Sequence, residues 1–337
     1  MMGTVERFMT LSGAPPRTPL LVPMTRGYGA RLEHLNPHAA RYDAAVIADG
    51  VRREADVLVP DLIVMGYDPT ILAESCGCEV RMIELYNWSI AQPAVKGEPE
   101  TWASWQPPDV GTNVPFVTIM EAMERVMPVI SSPIACMLPA PFTLARLLGG
   151  AMFEEAFKTG DERWQDLLDI SVMVVSDAIK VALRKGSCGI VLYEDLWPLS
   201  GVIGDELLRT YGTCFNVLRH HERRCLYVVT GAKKEEVTTL AADSFRDVLA
   251  GIVVCISGSN FSDWEEKVQG LMVGWATEPE FFTSGDAAFA AAVTALGESV
   301  HKTGMRVFMP IVPATAIPER VRELVTRFRA AAGSVHK

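Results

Sequence analysis

The chain is expected to fold as one α/β domain, a (β/α)8 barrel of the TIM type carrying an insertion after its second strand. Three observations lead there. Eight short apolar segments, most of them rich in β-branched residues, recur along the 337 residues, as strands buried on both faces of a parallel sheet do. Stretches with helical periodicity stand between them, and a chain of this length suits eight strand–helix units. No linker and no internal repeat divides the sequence, so residues 1–337 read as a single domain. An open doubly wound sheet is the alternative, but no Gly-x-Gly-x-x-Gly follows the first strand to support its dinucleotide-binding form.

The elements follow in order. The first strand is Leu20–Met24, and Asn36-Pro37 opens the first helix, with Asn as cap and Pro at the first helical position. The second strand lies in the apolar run Val57–Met65. Glu79–Pro115 then breaks the rhythm: Val80, Met82 and Glu84 alternate, and five prolines follow among Trp88, Trp102 and Trp105. This stretch reads as a hairpin and long loop on the rim that carries Asp68. Such an insertion is either a lid over a site or packing whose tryptophans patch the side of the barrel. The third strand is Val129–Leu138, and a long helix runs from Asp161 to Lys185, closed by Gly186 as its C-cap. Strands at Gly189–Tyr193, Cys225–Thr230, Gly251–Ser257, Gly270–Gly274 and Arg306–Ile311 complete the eight, with helices at Asp205–Arg223, Asp286–Lys302 and Pro318–Ala332.

Hydrophobic residues make up 49% and charged residues 21%, which suits a globular enzyme and excludes a disordered chain. A formal net charge of −10 argues against nucleic-acid binding, which needs clustered Lys and Arg. The first residues carry no apolar core of a secretory signal, and no run approaches the about 20 apolar residues of a membrane span. Seven cysteines, with only Cys76 and Cys78 close together, point to a reducing compartment. The expected location is cytoplasmic, with no membrane or nucleic-acid partner and with a homodimer admitted.

Candidate chemistry gathers behind strand ends, where a parallel barrel aims side chains into the crevice of its loops. Asp68 falls just past the second strand, with Glu74 six residues on; both are catalytic candidates, or else Asp68 caps a turn and Glu74 is solvated. Arg26 and Arg31 on the first loop either clamp a carboxylate or phosphate of the substrate or stand as surface arginines. Tyr193-Glu194-Asp195 follows the fourth strand. There Tyr193 and Glu194 are expected to line the substrate, and Glu194 or Asp195 near Asp68 forms a carboxylate pair suited to general acid work. The other reading is a helix cap or an ion pair. His220 and His221 are adjacent on a helix and diverge by about 100°, a poor metal pair.

Three segments resemble one family. Pro139-Ala140-Pro141-Phe142-Thr143-Leu144-Ala145 is similar to the Gly-Ala-Pro-Phe-Thr-Leu-Ala segment of the uroporphyrinogen decarboxylase superfamily. Ile311-Val312-Pro313-Ala314-Thr315 with Pro318-Glu319-Arg320-Val321 resembles its closing segment, and Asp61–Met82 its strand-2 segment. Gly274–Pro279 with Gly285-Asp286 is a weaker match. The resemblance implies a (β/α)8 barrel and puts Phe142 among the substrate contacts. It also implies one of two chemistries: decarboxylation of a tetrapyrrole, or methyl transfer between corrinoid or methylated donors and thiols. Asp68, Thr70, Ala73, Glu74, Gly77 and Cys78 match the methyltransferase pattern Asp-x-Thr-Val-x-Ala-Glu-x-x-Gly-Cys.

The chain departs from both branches. Where the thiol methyltransferases carry zinc ligands, it reads Val228-Val229-Thr230-Gly231 and Phe308-Met309-Pro310, so no metal is expected. Where the decarboxylases carry a Tyr and a late His, it has Leu147 and Met309. The expected function is therefore methyl transfer on a small molecule without zinc. A corrinoid, delivered by a carrier protein, is the cofactor the resemblance admits. Decarboxylation of a small carboxylate held by Arg26 and Arg31, and a non-catalytic barrel that binds a ligand or a corrinoid protein, are the alternatives.

Overall fold

Alternate residues along the strands face two separate cores, and this period-2 segregation defines the architecture. Residues 4–9, 18–195, 209–230, 247–256, 272–277, 279–302 and 305–334 are described in the computed structural model. The strands are β1 (Leu20–Leu21), β2 (Met24–Arg26), β3 (Ile63–Met65), the hairpin pair β4 (Glu79–Glu84) and β5 (Asn87–Gln92), then β6 (Ile134–Pro139), β7 (Ile190–Asp195), β8 (Cys225–Thr230), β9 (Leu249–Ile256), β10 (Met272–Thr277) and β11 (Val307–Pro313). Except for the hairpin, all pair in parallel in the order β1-β11-β10-β9-β8-β7-β6-β3, with β2 also on β11. Taking β1 and β2 as one interrupted strand, this is the cyclic order of a (β/α)8 barrel. Met24, Val64, Met137, Val191, Val228 and Met309 fill its interior. Their neighbours Ile63, Leu138, Leu192, Tyr227 and Phe308 face the helices outside.

One joint of the ring is not laddered. Between β2 and β3 no strand pairing forms. At its lower end Asp61 bridges the gap: its amide donates to Leu21 O at 2.9 Å, and its carboxylate accepts Leu21 N and Arg329 Nη1, both at 2.7 Å.

Local signals explain where the elements begin and end. Asn36 Oδ1 accepts the amides of His38 and Ala39, opening the single turn Ala39–Tyr42. The long helix Ala44–Leu58 has its own cap, Asp43, whose carboxylate accepts from Ala45 N at 2.8 Å and Val46 N at 3.3 Å. The run Val57–Met65 is thus not one strand. Leu58 closes the helix, Val59 turns left-handed at φ 44, and only Ile63–Met65 is extended. The third strand likewise starts at Ile134 rather than Val129, because the residues before it turn through Pro128 and Pro133. Gly186 stands at φ 98 and ends the helix Trp164–Arg184. The expected helix from Asp205 lies partly outside the described residues; Gly212–His220 is helical.

The insertion packs in two places. Its hairpin tip, Tyr86-Asn87-Trp88, lies over the first loop, where a Cβ on Gly27 would stand 2.5 Å from Tyr86 Cβ. Trp102, 1% exposed, packs instead on Phe153 along the barrel side. Among the described residues no helix is long and apolar enough to cross a membrane.

Candidate active site

The C-terminal mouth of the barrel collects polar groups from four strand ends. Arg26 leaves β2 with its guanidinium 5.2 Å from the ring centroid of Tyr67, which follows β3. Tyr67 meets Tyr193 of β7 edge-on, with ring centroids 5.9 Å apart. Beyond Tyr193, Asp195 accepts from Arg146 Nη2 at 2.6 Å and from Thr230 Oγ1 at 3.3 Å. Burial holds the Tyr193 hydroxyl up at about 12 and pushes Tyr67 upward too, so both are neutral hydrogen-bonding groups at physiological pH.

Beside the mouth, a pocket of about 110 Å3 opens at the unladdered joint between β2 and β3, under the hairpin tip. Asp68 stands in its wall. Asp68 Oδ1 accepts Thr70 N at 2.9 Å and Thr70 Oγ1 at 2.6 Å, and its Oδ2 accepts Arg41 Nη1 at 2.6 Å. Arg41 is 4% exposed and also reaches Glu74 Oε2 through Nε at 2.8 Å and Nη2 at 2.7 Å. Tyr42 donates to the other Glu74 oxygen at 2.6 Å, and Trp88 lays its ring 4.8 Å from the Arg41 guanidinium. Burial works against the charge of Arg41, but Asp68 and Glu74 outweigh it and its pKa is raised. Arg41 is therefore a locked cation with two carboxylates, an aromatic lid and the Thr70 hydroxyl as its cage.

Across the pocket stands Glu54 from the helix Ala44–Leu58. Its carboxylate accepts Thr25 Oγ1 at 2.6 Å and Gly29 N at 2.8 Å, bonds that flank Arg26 in the chain. Burial raises its pKa, and no cation stands against it among the described residues.

Several expected roles change. Glu194 does not face the barrel mouth. It points outward from β7, 0% exposed, and its carboxylate accepts Thr143 N at 2.9 Å, Thr143 Oγ1, Tyr211 Oη and Tyr227 Oη at 3.1 Å. Phe142, 1% exposed, packs among Phe153, Phe157 and Trp164 on the barrel side. Arg31 does not join Arg26 in a clamp; its Nη1 donates to the carbonyls of Ala314 and Ala316. Asp68 bonds to an amide of its own turn, the mark set for a structural acid, yet it also faces the pocket. Asp68 is matched by Arg41 and Asp195 by Arg146. Glu74 is a holder of Arg41. Arg26, Asp68, Tyr193 and Asp195 do come to the mouth and its pocket.

Sequence reading passed over Arg41, Glu54, Tyr67, Arg146 and Thr230. For Tyr67 a signal existed: it directly precedes the singled-out Asp68 at a strand end.

Among the described residues no three His, Cys, Asp or Glu side chains are grouped to hold a metal. Burial raises the thiols of Cys76, Cys136 and Cys188 to about 12 and of Cys78 and Cys214 to about 11, so these cysteines are neutral thiols.

Comparison with known proteins places this arrangement. The family model described as uroporphyrinogen decarboxylase (URO-D) matches residues 6–211. Among solved structures, a methyltransferase from Methanosarcina mazei aligns with TM-score 0.75 at 15% identity, covering 98% of this chain and 99% of that one. A putative vitamin-B12 independent methionine synthase from Listeria monocytogenes aligns with TM-score 0.47 at 13% identity, over 96% and 99% of the two chains. The first of these likenesses is one of fold. Comparison with curated proteins returned no significant match.

Proposed function

The chain belongs to the uroporphyrinogen decarboxylase family, and from that premise we propose that it is an enzyme moving a methyl group to or from a small molecule bound at the barrel mouth. The observation that carries this reading is the arrangement of the segment Asp68–Cys78, which resembles the methyltransferase pattern. Asp68, Thr70 and Glu74 together cage Arg41, Ala73 O accepts the amides of Cys76 and Cys78, Gly77 supplies φ 102, and Cys78 Sγ donates to Leu147 O. The matched positions thus act as one unit behind the pocket, and Asp68 carries that unit into its wall. Tetrapyrrole decarboxylation is disfavoured: Met309 is fully buried in the barrel interior, and Leu147 packs against the outer core.

In this reading Arg26 holds an anionic group of the substrate. Its Nη1 donates to Asn87 at 2.7 Å, while its buried Nε has no partner, so a polar ligand atom satisfies a group that otherwise costs about 1–3 kcal/mol. Tyr67 and Tyr193 donate hydrogen bonds, and Asp195, beside Arg146, takes the proton from a protic acceptor as that acceptor is methylated, or returns it to the leaving group when the methyl group passes from the small molecule to a corrinoid. The methyl donor or acceptor is a second substrate, a methylated small molecule or a corrinoid brought by a carrier protein.

Asp195→Asn is expected to lower turnover by about 10²–10⁴-fold while moving stability by about 1–2 kcal/mol, since its ion pair is partly buried and asparagine can still accept from Arg146. The assay mixes the protein, free cob(I)alamin and a panel of methylated amines, thiols and ethers, and follows the cobalt–carbon absorbance. Release of carbon dioxide from a small carboxylate without methyl transfer would replace this reading with decarboxylation, the alternative that Arg26 favours. Neither product would leave a ligand-binding barrel.

A further inference from the structure

Two charges in the pocket lack an opposite partner, and together they describe a ligand. Arg26 presents a guanidinium whose Nε is buried without a hydrogen bond, and no carboxylate pairs with it among the described residues. Glu54 presents a carboxylate to the same pocket, held only by the neutral donors Thr25 Oγ1 and Gly29 N. The remaining charges of the lining, Arg41 and Asp68, are already matched to each other and to Glu74. A carboxylate with two neutral donors keeps lone pairs to spare, and burying it without a cation is costly. Burial accordingly favours its protonated form, and a cation brought by a ligand would reverse that.

The walls between these charges are aromatic. Tyr67, Tyr86 and Trp88 line the pocket, and aromatic surface there that Arg26 and Arg41 leave uncovered attracts a positively charged nitrogen as it loses water. The pocket of about 110 Å3 has room for roughly seven to ten water-sized positions. It suits a molecule of about that many heavy atoms.

We propose that the pocket takes a small zwitterion, its anionic end on Arg26 and its cationic nitrogen against Glu54 and the aromatic wall. The proposal rests on the mouth being the small-molecule site and adds the charge pattern of that molecule. Neither end alone satisfies both residues, which makes the protein selective for molecules carrying the two charges together.

Isothermal titration of the full chain with betaine, acetate and tetramethylammonium tests it. Betaine is expected to bind wild type at least about tenfold tighter than either single-charge probe. Glu54→Gln should erase that preference and leave acetate binding within about twofold, whereas Arg26→Gln should weaken betaine and acetate alike by about tenfold or more. Acetate binding as tightly as betaine, a preference that survives Glu54→Gln, or no binding of betaine at about 50 mM, each overturns the proposal. Should Glu54→Gln fail to fold, the wild-type ratio of betaine to acetate decides alone. Methyl transfer is scored separately. Glu54-dependent betaine binding with no methyl transfer from any donor sinks the methyl-transfer reading and keeps this one. Methyl transfer only from molecules that lack a cationic nitrogen does the opposite.

Discussion

Replacing Arg41 with leucine will destabilise the protein by about 3–5 kcal/mol, the largest loss expected of any single change at the candidate site. The side chain sits at 3% exposure between two carboxylates that are themselves 12% and 18% exposed. Leucine fills part of the volume but leaves Asp68 and Glu74 facing each other without a cation. Removing one member of a buried charge cluster costs more than the cluster contributes, because the survivors keep their desolvation penalty. Arg41 also underlies Trp88, so the hairpin loses its seat at the same time. Urea unfolding of both proteins at pH 7 measures the difference. Arg41→Lys should recover only part of it, since an ammonium cannot reach Asp68, Thr70 and Glu74 together as the planar guanidinium does. A loss below about 1 kcal/mol for leucine would show that water, not Arg41, satisfies the two acids.

Between about pH 4.5 and 7 the protein will lose stability on account of one residue, Glu194. Burial lifts its pKa to about 7, against four donors that pull the other way. The sign follows from linkage. An acid whose pKa is raised in the folded state binds protons more tightly there than in the unfolded chain, so its stabilising effect is complete below the unfolded pKa and disappears as pH rises through the folded one. The difference between a usual glutamate and about 7 amounts to about 3 kcal/mol by pH 8. Glutamine mimics the neutral acid: its carbonyl can accept from Thr143, and its amide can donate to hydroxyls of Tyr211 and Tyr227 that are free to turn. Glu194→Gln should therefore flatten the wild-type slope between pH 5 and 8 in denaturant unfolding. An unchanged slope would mean that Glu194 remains ionised in its buried place.

These two residues also mark where sequence reading reached and where it stopped. Strand–helix alternation was legible because burial on both faces leaves continuous apolar runs, and boundaries went wrong where such a run began in a helix end, as at Val57-Leu58, or in a turn, as at Val129. Asp68 stood out by its place after a strand. Arg41 did not: on a single-turn helix it looks like any solvated arginine, and it is buried by residues far along the chain, the segment Asp68–Glu74 and the hairpin tip. Glu54 follows Arg52 and Arg53 and reads as part of a charged helix face, because nothing local announces that Thr25 and Gly29 lie beneath it. The reversal of Glu194 and Asp195 could have been foreseen. In a strand neighbouring side chains take opposite faces, so with Val191 and Tyr193 inward, Asp195 follows them and Glu194 cannot.

A ring of eight strands with one unladdered joint has two edges, where a closed barrel has none. Thr25 on one edge and Val64 on the other face the small cavities beneath the helix Ala44–Leu58, which lies across the joint with Val51, Glu54 and Ala55. Backbone groups there are shielded by cover instead of by ladders. Lifting that helix and the hairpin frees them without unravelling the rest, so their amides should exchange with solvent through partial opening, well before those of β7 and β8. The same opening bares two strand edges to a second chain. Under mild denaturation, self-association should therefore begin at this joint, by strand addition.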